Sequence, residues 1–340
     1  MKKIILPILL LLSTWHPGFS QDYFHMSQFT QSAYAINPAF SGIEEYIDVK
    51  IGYRRQWSNI NGTPTTYYVG VNLSNRNLWK SDDANKSIRT SDPSLLEEEV
   101  SSEELVRSKH GFGLYALNSR QGAFSRNGAY LTYAYHHVLP NGWSVAAGAS
   151  ADIINEKFDE LNATVFNPDL DEIYQAYRNG MRTGTSIGLN GGALLYTNQF
   201  YLGYSIHNAV HTNLASNVVD QAQLSELYHF VMGGMHFDVD PEFSLHPSVF
   251  FKYSEAFSYS FDVNCKLQYR EFGWVGASYR NNTNSTDVVG MLGFFVNNRI
   301  NLGYSYDFST SRLGRDSSGT HELVLSLMLA NPNEALPFLK

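Results

Sequence analysis

The chain has 340 residues, a formal net charge of −8 and 14% aromatic residues (22 Tyr, 21 Phe and 5 Trp). The acidic balance excludes a broad basic surface for nucleic acid, and a single cysteine, Cys265, excludes an intramolecular disulfide. No segment offers about 20 consecutive apolar residues, which excludes helical membrane spans.

The chain opens with Lys2 and Lys3, followed by a short apolar stretch from Ile4 to Leu12. Gly18-Phe19-Ser20 then places small residues before Gln21. This pattern predicts a signal peptide over residues 1–20, with an apolar part too short to span a bilayer. No cysteine follows the cleavage site, which argues against a lipoprotein. Residues 21–45 carry Phe24, Phe29, Tyr34 and Phe40 and are apolar enough to fold into an enclosed lumen as a plug.

From there on, period-two alternation dominates. Fourteen strands are predicted near 47–57, 64–73, 109–119, 127–138, 142–154, 184–196, 199–207, 227–239, 242–253, 257–269, 272–281, 286–296, 299–308 and 320–329. The run Phe257 to Arg270 shows the pattern best. Phe257, Tyr259, Phe261, Val263, Cys265, Leu267 and Tyr269 alternate with Ser258, Ser260, Asp262, Asn264, Lys266, Gln268 and Arg270. A period of two places these sets on opposite faces of one strand. At about 3.3 Å per residue such a strand reaches about 45 Å, whereas strands of globular proteins stop near about six residues. One apolar face and one polar, charged face suit a membrane barrel with lipid outside and a lumen inside. Cys265 then faces lipid.

An aromatic-rich β-sandwich is the competing architecture, and the connections favour the barrel. Pro140-Asn141-Gly142, Thr197-Asn198, Asp240-Pro241, Arg270-Glu271 and Asn297-Asn298 are short turns with the chemistry of tight hairpins. They occupy every second connection from the fourth strand onward. The others are generally longer, notably 155–183, 208–226 and 309–319. Short turns at one rim and long loops at the other define outer-membrane barrels, and an even strand count returns both ends to the short-turn, periplasmic rim. The expected fold is therefore all-β: a transmembrane antiparallel β-barrel of about 14 strands over residues 46–330, with an N-terminal plug-like segment and a tail at 331–340.

One connection breaks the pattern. Residues 74–108 form an acidic insertion at the short-turn rim, with Ser91-Asp92-Pro93 as a helix-start signal. Leu95, Leu96, Val100 and Leu105 make a weak apolar stripe. It reads either as a periplasmic docking element or as a solvated insertion. In the 155–183 loop, Asn167-Pro168-Asp169-Leu170-Asp171-Glu172 predicts a turn followed by a short helix. Its acidic residues lack the ordered spacing of a calcium loop.

Catalytic and metal signatures are absent. His207 and His211 are expected at a strand end and in a loop, and His136-His137 point to opposite faces. Neither pair predicts chelation, and no phosphate loop, zinc spacing or nucleophile elbow occurs. No cofactor, metal or catalytic residue is expected. Glycines inside strands, such as Gly188, Gly191, Gly192, Gly233 and Gly234, are read as sites of bending or close packing.

Several short motifs resemble one family. They are Ser27-Gln28-Phe29; Ile36-Asn37-Pro38-Ala39-Phe40-Ser41-Gly42; Tyr53-Arg54-Arg55-Gln56-Trp57; Gly62-Thr63-Pro64; Tyr201-Leu202-Gly203-Tyr204-Ser205; Gly303-Tyr304-Ser305-Tyr306-Asp307; and His321-Glu322-Leu323. In this order they resemble the PorP/SprF family of type IX secretion outer-membrane proteins across almost the whole mature chain. The resemblance implies an integral outer-membrane barrel that associates with type IX subunits at its periplasmic rim. It also implies a role in secreting or attaching surface proteins, gliding adhesins among them.

The same motifs have plain structural readings. Asn37, Pro38 and Gly42 lead the N-terminal segment into the barrel. Arg54 faces the lumen and Arg55 the lipid side or rim. Gln56 lies on the polar face of the first strand and Trp57 at the outer interface, Gly62 and Pro64 form the first outer hairpin, Tyr306 and Asp307 alternate in the penultimate strand, and His321 and Glu322 open the last. Lys50, Arg54, Asp262, Lys266 and Glu322 are expected to form a charged lumen network. Two functions compete: a non-enzymatic secretion component contacting lipid, cargo and partner subunits, and a channel for small or hydrophobic solutes.

Overall fold

A computed structural model describes residues 26–44, 46–75, 108–140, 142–179, 183–215, 226–254, 258–270, 272–283, 285–297 and 299–329. The predicted signal peptide, most of the acidic insertion and the C-terminal tail lie outside the described residues.

Every predicted strand is present. The elements are β1 (Ile47–Arg55), β2 (Thr65–Ser74), β3 (Lys109–Gln121), β4 (Phe124–Val138), β5 (Ser144–Phe158), β6 (Thr183–Tyr196), β7 (Phe200–Ala215), β8 (Tyr228–Met235), β9 (Phe237–Asp238), β10 (Phe243–Ser254), β11 (Ser258–Tyr269), β12 (Gly273–Asn282), β13 (Ser285–Asn297), β14 (Ile300–Ser309) and β15 (Thr320–Leu329). The two-residue β9 continues β8 along the same neighbour. Gly234 faces Ser248 and Phe237 faces Leu245 on β10 in one register. The strands thus make fourteen staves, one of them interrupted at His236.

Each stave pairs antiparallel with its neighbours in sequence, and β1 pairs with β15 from Ile47↔Leu329 to Arg55↔His321. That pairing closes the sheet into a barrel without an edge. Closure matters in a bilayer, where no water can satisfy an open strand. The alternation is inverted relative to a water-soluble protein. On β11, Ser260, Asp262, Asn264, Lys266 and Gln268 are buried inside, while Tyr259, Val263, Leu267 and Tyr269 are exposed outside. Cys265 is exposed on that outer face. Val69, Leu114, Leu131, Leu302 and Leu323 continue the apolar exterior around the barrel. No described helix is long and apolar enough to cross a membrane; the crossing is made by strands.

The core lies in the lumen. Residues 26–44 fold there as two 3-10 stretches, Phe29–Ala35 and Pro38–Phe40. Met26, Phe29, Ala33, Tyr34, Phe40 and Ile43 are buried against inward Tyr68, Tyr115, Tyr201, Phe230 and Phe250. Phe29 lies on Phe250 and Phe40 meets Tyr201 edge-on, with centroids 4.9 and 5.7 Å apart.

Three local expectations change. β1 ends at Arg55, because Trp57 and Asn59 take left-handed conformations (φ 49° and 70°) that turn the chain out of the strand. β7 runs to Ala215, so His211 is in a strand. A register shift between Leu189 and Gly191 on β6 interrupts the alternation of β7 near His207. Not every connection at the long-loop rim is long: β3–β4 and β13's approach from β12 turn within two or three residues. The 159–182 loop does carry the expected helix, α1 (Glu172–Asn179), after a turn in which Asp171 Oδ1 accepts from the Tyr174 N–H (2.9 Å). A five-residue α2 (Arg312–Asp316) lies in the last long loop.

Candidate functional site: the occupied lumen

An irregular backbone inside a barrel must find partners for its own N–H and C=O groups. Here the inward polar side chains supply them. Asn37 Nδ2 donates to the carbonyls of Ala193 (3.1 Å) and Tyr204 (3.3 Å), while its Oδ1 caps the Ala39 N–H (3.0 Å). Ser205 Oγ donates to the Ile36 carbonyl (2.8 Å), which His207 Nε2 also meets. His136 Nε2 reaches the Ser41 carbonyl (2.7 Å), its other nitrogen facing the Tyr196 hydroxyl (2.9 Å). Asn72 Oδ1 accepts from the Gly42 N–H (2.6 Å), and Lys109 Nζ donates to the Ile43 carbonyl (2.6 Å).

Glycines on the wall make room for this contact. A Cβ on Gly192 would overlap Asn37 Oδ1, one on Gly148 the Pro38–Ala39 peptide, one on Gly111 the Ser41 carbonyl and one on Gly303 the Gln28 side chain. These positions need glycine because the lumenal segment's backbone and side chains pass against them. Gly42 needs it twice, since it also takes φ +70°.

The start of the segment is held by charge. Arg54 Nη1 donates to Glu322 Oε2 (3.0 Å) and Ser27 Oγ (2.7 Å), and Arg54 Nη2 donates to Asp307 Oδ2 (2.9 Å). Arg280 reaches Asp262 through Nε (3.0 Å) and Asp307 through Nη1 (3.2 Å). Ser27 Oγ donates to Asp307 (2.6 Å), and the Ser27 and Gln28 N–H groups both donate to Glu322 (2.9 and 3.1 Å). These side chains are 0–6% exposed, so the charges survive burial only because they are paired and hydrogen-bonded.

The expected network is therefore only partly right. Arg54, Asp262 and Glu322 join it. Lys50 instead pairs with Asp48 on its own strand, with Ser326 alongside. Lys266 makes no ion pair among the described residues and sits over the Trp274 ring, 4.7 Å from its centroid. Arg280 and Ser27, which complete the cluster, fall outside the expectation. Arg280 follows the inward parity of β12, but parity alone does not say which inward groups meet across a lumen.

The family-motif residues fall into three places. Asn37, Pro38 and Gly42 shape the lumenal segment, and Arg54, Asp307 and Glu322 form the buried cluster. The rest gather at the long-loop rim. There the Gln56 N–H donates to the Pro64 carbonyl (2.9 Å) and the Gly122 N–H to the Gly62 carbonyl (2.8 Å). The Trp57 N–H donates to Thr320 Oγ1 (3.2 Å), and His321 bonds the Tyr304 hydroxyl (2.8 Å) with the Tyr306 ring beside it.

A closed fourteen-stave barrel with an apolar exterior, a charged interior and no sheet edge is an integral outer-membrane β-barrel. Solved barrels resemble it only distantly. Omp33 of Acinetobacter baumannii is 14% identical with TM-score 0.45, over 85% of this chain and 100% of its own. The CymD monoaromatic hydrocarbon channel is 10% identical with TM-score 0.46, over 91% and 94%. A FadL homologue of Pseudomonas aeruginosa is 11% identical with TM-score 0.45, over 87% and 93%. No curated protein matches the sequence. Residues 18–327 match the family described as type IX secretion system membrane protein PorP/SprF, and the chain belongs to that family.

Proposed function

We propose that this barrel is a non-enzymatic component of type IX secretion that supports export or surface attachment of one class of secreted protein, such as a gliding adhesin. Its long loops would meet cargo and its short-turn rim would meet partner subunits. The family match over residues 18–327 carries the reading. The lumenal segment supports it against the channel alternative, because buried Phe29, Tyr34 and Phe40 occupy the path a solute would take. The buried motif residues Asn37, Arg54, Asp307 and Glu322 act in this reading as holders of that segment, and the rim residues Gln56, Trp57, Gly62, Pro64, Tyr306 and His321 as the frame for the loops.

Affinity capture of the tagged protein from native outer membranes, followed by mass spectrometry, tests the proposal. Recovery of type IX subunits together with a large secreted surface protein is expected. A barrel recovered without either would overturn the reading in favour of a solute channel.

A further inference from the structure

Near the short-turn rim the lumenal segment does not fill the barrel. A cavity of about 630 Å³ remains between Ser27–Gln31 and the inner wall, lined also by exposed Asn198 and Gln199 of the β6–β7 turn. That volume lies within the range of small-molecule sites, about 300–1,000 Å³. Much of its surface is apolar, supplied by Phe29, Phe200, Tyr201, Met235 and Trp274, and no aspartate or glutamate lines it.

Two hydrogen-bond donors on the inward face of β11 border this space without acceptors. Lys266 is 9% exposed, makes neither an ion pair nor a hydrogen bond among the described residues, and rests its ammonium 4.7 Å from the centroid of the Trp274 ring. Asn264 is 6% exposed, and its Nδ2 is buried with no partner among the described residues. Burying an ammonium without a counter-charge is costly, and the face of one indole offsets only part of that cost. Water can serve Asn264, but it brings no charge to Lys266.

We infer that this cavity binds a small organic monocarboxylate with an apolar tail, entering from the periplasmic side. The carboxylate sits between Lys266 Nζ and Asn264 Nδ2, and the tail lies against Phe29, Phe200 and Met235. The two donor residues share one face of the strand, about 6.6 Å apart, so each carboxylate oxygen takes one donor. The lone ammonium balances one negative charge, and no guanidinium lines the cavity. A phosphate ester would bring a second charge with nothing to balance it. Glu44 and Lys50 line a separate, smaller cavity that Lys266 also borders and stay outside this site.

The test uses the full-length barrel in lipid nanodiscs, with empty nanodiscs as the blank and folding checked by heat-modifiable gel mobility. Phenylpropionate is titrated by calorimetry, and one ligand per barrel is expected. Lys266→Met and Asn264→Ala each remove a hydrogen bond to a charged group and should weaken binding about tenfold or more. The neutral amide of the same acid, which keeps the tail and loses the charge, should bind more weakly by a similar factor. Inorganic phosphate should not compete. The site is overturned by an absence of saturable binding, by equal affinity in wild type and both variants, or by an amide that binds as tightly as the acid. Displacement by equimolar phosphate would equally overturn it, since the apolar tail would then contribute nothing.

Discussion

Five charged side chains and one serine hold the start of the lumenal segment, and their arithmetic predicts where the barrel is vulnerable. Arg54 and Arg280 share Asp307. Asp307→Ala strips both guanidinium groups of that partner inside the lumen, and losing one partner of a buried pair costs about 3–5 kcal/mol. Ser27→Ala removes a hydroxyl bonded to Asp307 and Arg54 but leaves the ion pairs in place, and should cost about 1.5–3 kcal/mol, the range for hydrogen bonds to charged groups. Denaturant unfolding of the two variants should reproduce that order; equal midpoints would mean that water, not Asp307, neutralises the arginines. At this scale the sequence was half legible. Inward parity identified Arg54, Asp262 and Glu322 correctly. It could not say that Lys50 would take Asp48, two residues away, or that Lys266 would settle on Trp274, because those choices depend on barrel stagger and on a segment with no periodicity.

Among elements, the strands were readable and the lumenal segment was not. A period of two survives any change of tertiary setting, so all fourteen staves were evident, and β7 was cut short only where the register shift against β6 spoiled its alternation. The segment's aromatic content marked it as a plug. Its path, fixed by Asn37 and by the inward glycines of β3, β5, β6 and β14, left no local signature. That path yields a prediction. Gly192→Leu places a side chain where Asn37 Oδ1 lies and should displace the segment, raising sugar flux in liposome-swelling assays above the low wild-type level. Gly290→Ala, where a Cβ meets nothing within 4 Å, should leave flux unchanged. Equal flux in wild type and Gly192→Leu would mean the segment does not close the pore.

For the whole molecule, burial is turned inside out, and stability depends on the solvent outside. Val263 sits mid-strand on the exposed face of β11. Val263→Lys should destabilise the barrel by about 2–4 kcal/mol in a bilayer, read as a lowered unfolding midpoint in lipid vesicles. The same substitution should matter far less in short-chain detergent, where the ammonium reaches water.

The Ser27 amide bonds a carboxylate 295 residues further along the chain, while Asn37 and Ser41 rest on β4, β6 and β7. During biogenesis the middle strands can receive one end of the segment early, but the other end has nowhere to go until β14 and β15 arrive. The seam between β1 and β15 therefore cannot shut ahead of its contents: whatever machinery zips the two ends of this chain together must do so around a passenger already aboard.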